Sequence, residues 1–154
     1  MVDRRYAAGR VSSEANSQLQ RVKRAIYKRS ELNKNNMHNF RKLKVYTLAK
    51  DLVKNVYLMI DTFPTKEKYG LADQLRRAVI SVPSNIAEGL GRSTHKDKGH
   101  FMQIAYGSLM EVLAQVDIAC DLGYISMEQF LKLEELIVEE SKLLHGMINS
   151  FKDK

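Results

Sequence analysis

The residues able to do chemistry are few, and their spacing argues against an active site. The histidines are His38, His95, His100 and His145, and none follows a glutamate by three positions in the Glu-x-x-His pairing of di-iron helical proteins. His95 and His100 stand five apart, which is not a helical metal pair, and read as surface histidines. Cys120 is the single cysteine, so no intramolecular disulfide and no zinc site built on cysteine pairs can form. Ser84 and Ser108 have no histidine or lysine partner at a spacing that would activate a hydroxyl. Glu134-Glu135 and Glu139-Glu140 read as a solvated acidic face, with a divalent-metal site as the lesser alternative. There is no glycine-rich loop leading to Lys-Ser/Thr and no strand before any glycine cluster, so nucleotide-binding P-loops and dinucleotide folds are not indicated. The expectation is a non-enzyme with no catalytic residue, no metal and no cofactor.

The unusual stretch runs from Arg76 to Arg92. Steps of three and four from Arg77 reach Ser81, Asn85, Glu88 and Arg92, a polar stripe opposite Leu75, Val79, Val82 and Ile86. Solvated helix faces are rich in Lys and Glu, whereas this one carries serines, an asparagine and Pro83. Small hydrogen-bonding residues suit a face packed on another helix or subunit, where Arg77 or Arg92 could supply partners to Asn85 and Glu88. A matching set follows in Gln103, Gly107, Ser108, Glu111 and Gln115, where Gly107 in mid-helix implies a close backbone approach. The expected outcome is a buried polar network between two helices or across a subunit boundary, with a small-ligand pocket as the alternative.

The elements that must position these residues are helices. Only two prolines interrupt 154 residues, and the turn signals of a β-sandwich are absent. Val45, Leu48, Ala49, Leu52, Val53, Val56, Ile60 and Phe63 predict a helix over 43–63, ended by Pro64. Leu71, Leu75, Ala78, Val79, Val82 and Ile86 predict a second over 70–90, bent at Pro83 and stopped by Gly89 and Gly91. Phe101, Ile104, Ala105, Leu109, Val112, Val116 and Ala119 predict a third over 96–122, capped by Ser93 or Thr94, with Gly123 just past its end. Phe130, Leu133, Ile137, Leu144, Met147 and Ile148 predict a fourth over 126–151, with Ser126 and Gln129 as a capping box. The fold class is therefore all-α: an antiparallel up-down four-helix bundle behind a basic, flexible N-terminal extension.

The net charge of +7 is unevenly divided. Residues 1–36 hold nine Lys/Arg against three Asp/Glu, while residues 37–154 hold sixteen against fifteen. A basic arm on a near-neutral body predicts contact with an acidic polymer, RNA first and DNA second, through Arg21, Lys23, Arg24, Lys28 and Arg29. The alternative is a solvated tail serving solubility. Residues 1–18 read as disordered, Ser17 to Arg29 carries a faint helical pattern, and Asn33 to Asn36 is a polar break. Domain organisation is read as an extension over 1–36 and a helical domain over 37–154, with Met37 an alternative start. No signal peptide and no membrane-spanning run is read, so a cytoplasmic location without a membrane partner is expected.

Four segments carry a family resemblance: Asn39 to Tyr46, Tyr69 to Ala78, Ser81-Val82-Pro83-Ser84-Asn85-Ile86-Ala87-Glu88-Gly89, and Ile104 to Glu111. Over about 37–152 the chain resembles the four-helix-bundle proteins encoded in intervening sequences of bacterial 23S rRNA genes. The resemblance implies an up-down bundle assembled into a ring-like homopentamer. It also implies kinship with the accessory proteins of diversity-generating retroelements, pentameric barrels that bind nucleic acid and a reverse transcriptase. It implies no enzyme, and it makes Arg77, Asn85, Glu88, Arg92 and Glu111 architectural. The rival expectation is a protein–protein scaffold with no nucleic-acid role.

Overall fold

Each helical stripe read from the sequence forms a helix. The computed structural model describes residues 17, 18, 20–28 and 40–152, and the chain divides into two units, Met1–Asn39 and Phe40–Lys154. In the first unit, residues 17, 18 and 20–28 are helical (α1). The expected disorder before it, Arg29, the polar break and the alternative start at Met37 lie outside the described residues. In the second unit four helices follow: α2 (Lys44–Ile60), α3 (Leu71–Gly91), α4 (His95–Asp121) and α5 (Met127–Lys152). The fold is all-helical, with no strand among the described residues. Each of these helices packs on the next, and α2 also packs on α5.

One core takes side chains from all four. It holds Ala49, Leu52 and Val56 of α2, Leu75, Val79, Val82 and Ile86 of α3, Met102, Leu109, Val112 and Val116 of α4, and Ile137 and Leu144 of α5. These are the predicted stripes with a few exceptions. Met102 enters the core unpredicted, and Ile104, expected inside, is 39% exposed. Met102 and Ile104 lie about 200° apart around the axis, so both cannot face the core.

The helix ends are set by local chemistry. Thr94 Oγ1 accepts from the Asp97 amide (3.0 Å) and donates to Asp97 Oδ2 (2.7 Å), starting α4. Gly123, at φ +69°, ends it, with its own amide bonded to Cys120 O and that of Tyr124 to Ala119 O. Ser126 and Gln129 form the reciprocal capping box: each one's amide is bonded by the other's side chain (2.9 and 3.2 Å).

Two predicted ends move. α2 stops at Ile60, short of Phe63, where turn bonds from Thr62 and Phe63 replace the helical ladder; Pro64 instead opens a short 3-10 turn, Thr65–Glu67. Gly89 does not stop α3, which runs on to Gly91. α3 is also continuous through Pro83. Its first amide is met by Glu67, whose Oε2 accepts from Leu71 N (3.1 Å) while Oε1 accepts from Tyr124 Oη (3.0 Å). Those two bonds, and Lys66 beside them, hold the Glu67 carboxyl below the usual range.

Candidate functional site

The polar stripe of α3 meets α4 through one chain of hydrogen bonds. Ser108 has a single hydroxyl proton, and it goes to the Ile104 carbonyl (3.1 Å). Ser81 therefore donates to Ser108 Oγ (2.8 Å), and Ser81 Oγ in turn accepts from Asn85 Nδ2 (2.9 Å). Asn85 Nδ2 also donates to the Ser81 carbonyl (2.8 Å), and Ser84 Oγ to that of Ile80 (2.8 Å). These extra donors lie in the turn that Pro83 disturbs, where its ring crowds the preceding carbonyls.

The remaining stripe residues make their polar pairings with residues one turn away on the same helix. Arg77 pairs with Asp73 (2.6 Å), Arg92 with Glu88, and Gln115 Nε2 donates to Glu111 Oε1 (3.0 Å). Glu88 thus has the arginine partner predicted for it, whereas Asn85 is served by Ser81. Ser81, Asn85 and Ser108 are half-buried, and Arg77, Glu88, Arg92 and Glu111 are exposed. The expectation of a buried network between two helices is corrected accordingly: its centre is a small part-buried relay, and its ends face solvent.

Gly107 also departs from expectation. A Cβ built there would meet nothing within 4 Å, so it permits no close approach inside the chain. That role belongs to Gly89, where a Cβ would lie 2.7 Å from Met102 Cε and 2.8 Å from Phe101 Cβ. Arg92, one turn on, lies over the Phe101 ring at 4.6 Å. The α3–α4 face therefore presents Ile80 (44% exposed), Ile104 and an open Gly107 around the serine relay.

The acidic pairs do not form one solvated face. Glu139 bonds Lys44 of α2 (2.6 Å), but Glu140 is wholly buried and neither of its oxygens has a hydrogen-bond partner. Burial, reinforced by the neighbouring Glu139 charge, pushes its carboxyl up to about 8. The signal was in the spacing. Glu140 fills the step between Ile137 and Leu144 in the stripe from Leu133 to Ile148, a position that faces the core whatever its residue type.

No group of three or more His, Cys, Asp or Glu is placed to hold a metal among the described residues. The rings of His95, His100 and His145 lie against Phe151, Phe101 and Tyr106.

In the first unit, Arg21, Lys23, Arg24 and Lys28 are all exposed on α1, and residues 17–28 contain no Asp or Glu. Lys23, Arg24, Tyr27 and Lys28 line a shallow hollow of about 350 Å3. Val22 and Ile26 of α1 are more than half exposed.

The family model for 23S rRNA-intervening sequence proteins matches residues 41–146, which takes in the relay, Gly89, Gly107 and Glu140. The chain belongs to this family. Among solved structures it is similar to a crystal structure of a protein of unknown function from the S23 ribosomal protein family of Bacteroides thetaiotaomicron VPI-5482. The TM-score is 0.63 at 19% identity, over 68% of this chain and 97% of that one. At that identity the likeness concerns the fold. No curated protein matches the chain. No described helix of this family member is long and apolar enough to cross a membrane.

Proposed function

We propose that the chain is a non-enzymatic, cytoplasmic nucleic-acid-binding module that works as a homo-oligomer, with RNA its first ligand. Its four long helices form an antiparallel up-down bundle; short connections favour that arrangement, as does the packing of α2 on both α3 and α5. The observation that carries the reading is α1, with four exposed cations and no carboxylate. Such a segment gains affinity by displacing counterions from a phosphate backbone and reads no sequence. The family description, 23S rRNA-intervening sequence protein, favours RNA over DNA in this reading. The α3–α4 face is the subunit contact, because it is the place where small polar residues, an open glycine and exposed isoleucines coincide. The homopentamer and the retroelement kinship rest on the family resemblance.

The test is fluorescence anisotropy of a single-stranded RNA across a salt series, comparing the full chain with an Arg21→Ala/Lys23→Ala/Arg24→Ala/Lys28→Ala variant. Binding by the native chain is expected to fall steeply with salt, and removing the four cations should lower the log–log slope by about 3. Equal slopes would remove α1 from the binding reading. No binding by either chain at low salt would leave the scaffold reading, which the same α3–α4 face favours.

A further inference from the structure

A hollow of about 860 Å3 opens where α4 begins and α5 ends. Its size falls in the range of small-molecule sites, roughly 300–1,000 Å3. The lining divides by chemistry. Ile148, almost wholly buried, and half-buried Phe151 are its apolar part. The His95 ring stands beside Phe151, with centroids 5.9 Å apart. Lys96 and Lys152 are exposed at the hollow, and neither is committed to a carboxylate among the described residues. The one carboxylate in the lining, Asp97, already accepts from Thr94 Oγ1, and its amide is capped by the same hydroxyl. The cations at the hollow are thus side chains of two helices, Lys96 of α4 and Lys152 of α5. His100 and Gln103 add further hydrogen-bonding groups.

We propose that this hollow binds a nucleoside monophosphate unit, the phosphate held by Lys96 and Lys152 and the base laid against Phe151 and His95. Two uncommitted ammonium groups match a phosphate dianion. Aromatic rings beside them match the face of a base, which stacks without regard to sequence. A plain anion would leave the apolar part unused, and a plain hydrophobe would leave both lysines unused. The site is built from residues of the second unit alone and does not depend on the reading given above for the α1 cations. The unit has two sources, a free nucleotide or the phosphorylated 5′ end of a strand.

Calorimetric titration of the full chain with AMP, adenosine and ribose 5-phosphate tests it. AMP is expected to bind saturably, at least tenfold more tightly than either fragment, and at least tenfold more weakly to a Lys96→Ala/Lys152→Ala variant. Both lysines are exposed, so that variant is expected to keep the native circular dichroism and melting. Absence of saturable AMP binding to the native chain overturns the proposal, as does equal AMP affinity in the double variant or equal affinity for adenosine. Competition by 5′-phosphorylated and 5′-hydroxyl oligoribonucleotides, run on the chain lacking the four α1 cations, separates the sources. Preference for the phosphorylated strand assigns the hollow to a strand end, and AMP binding without that preference assigns it to a free nucleotide.

Discussion

Glu140 is the residue on which stability should turn. Its carboxyl, buried without a partner, is pushed up to about 8 in the folded chain, against 4.5 for a freely solvated glutamate. Below pH 4.5 the acid is protonated folded or unfolded, and ionisation does not oppose burial. Between 4.5 and 8 the unfolded chain ionises while the folded one holds its proton, so stability falls as pH rises through that window. Above 8 the loss is complete and constant. Urea midpoints are therefore expected to be higher at pH 5 than at pH 8.5. A Glu140→Leu variant should flatten that dependence and gain on the order of 3 kcal/mol at pH 8.5. An unchanged pH profile in the variant would assign the dependence elsewhere. The sequence placed Glu140 on a core-facing register, but its neighbour Glu139 and the rest of the acidic run made a solvated face the plainer reading.

At the scale of elements, two glycines on neighbouring helices have opposite roles. Gly89 lies where α3 meets the first turns of α4, and an added methyl would strike Phe101 Cβ and Met102 Cε, with Lys98 O 3.3 Å away. Gly89→Ala is expected to cost about 2 kcal/mol by overpacking. Gly107 has open space around its missing Cβ, so Gly107→Ala should stabilise the isolated chain by about 0.5–1 kcal/mol through helix propensity. Thermal melts of the two variants, taken at concentrations where the chain is monomeric, should move in opposite directions. A shared direction would mean that Gly107 is covered in solution. Within one chain, sequence alone selected Gly107 where Gly89 makes the close approach. Both sit inside helical runs, and only the approach of the neighbouring helix tells a required hydrogen from a tolerated one.

For the whole molecule, the open α3–α4 face sets the question of assembly. Ile80 and Ile104 are exposed on a single chain, so charged replacements there leave the core untouched. Sedimentation velocity of an Ile80→Glu/Ile104→Glu variant is expected to show monomers where the native chain sediments as an oligomer, with helical content unchanged. Equal sedimentation coefficients would move the contact to another surface. Such a contact would also cover the part-buried Ser81–Ser108 relay, which one chain leaves partly open to water.

Helix number, most helix boundaries, the caps at Thr94, Ser126 and Gly123 and the greater part of the core were legible from sequence. All of these are written within a few residues of one another, as apolar positions every three or four, a hydroxyl before a run, or a glycine after it. The concentration of charge in the first 36 residues was equally legible, since it needs only counting. The tertiary structure decided the rest. It sent Glu140 inward and Ile104 outward, and it made Gly89 the close contact in place of Gly107. It gave Asn85 a serine instead of an arginine, and it drew Lys96, Lys152, His95 and Phe151 around one hollow from positions more than fifty residues apart in the chain. Each of these depends on which helix stands opposite and at what register, and no pattern within a single helix carries that information.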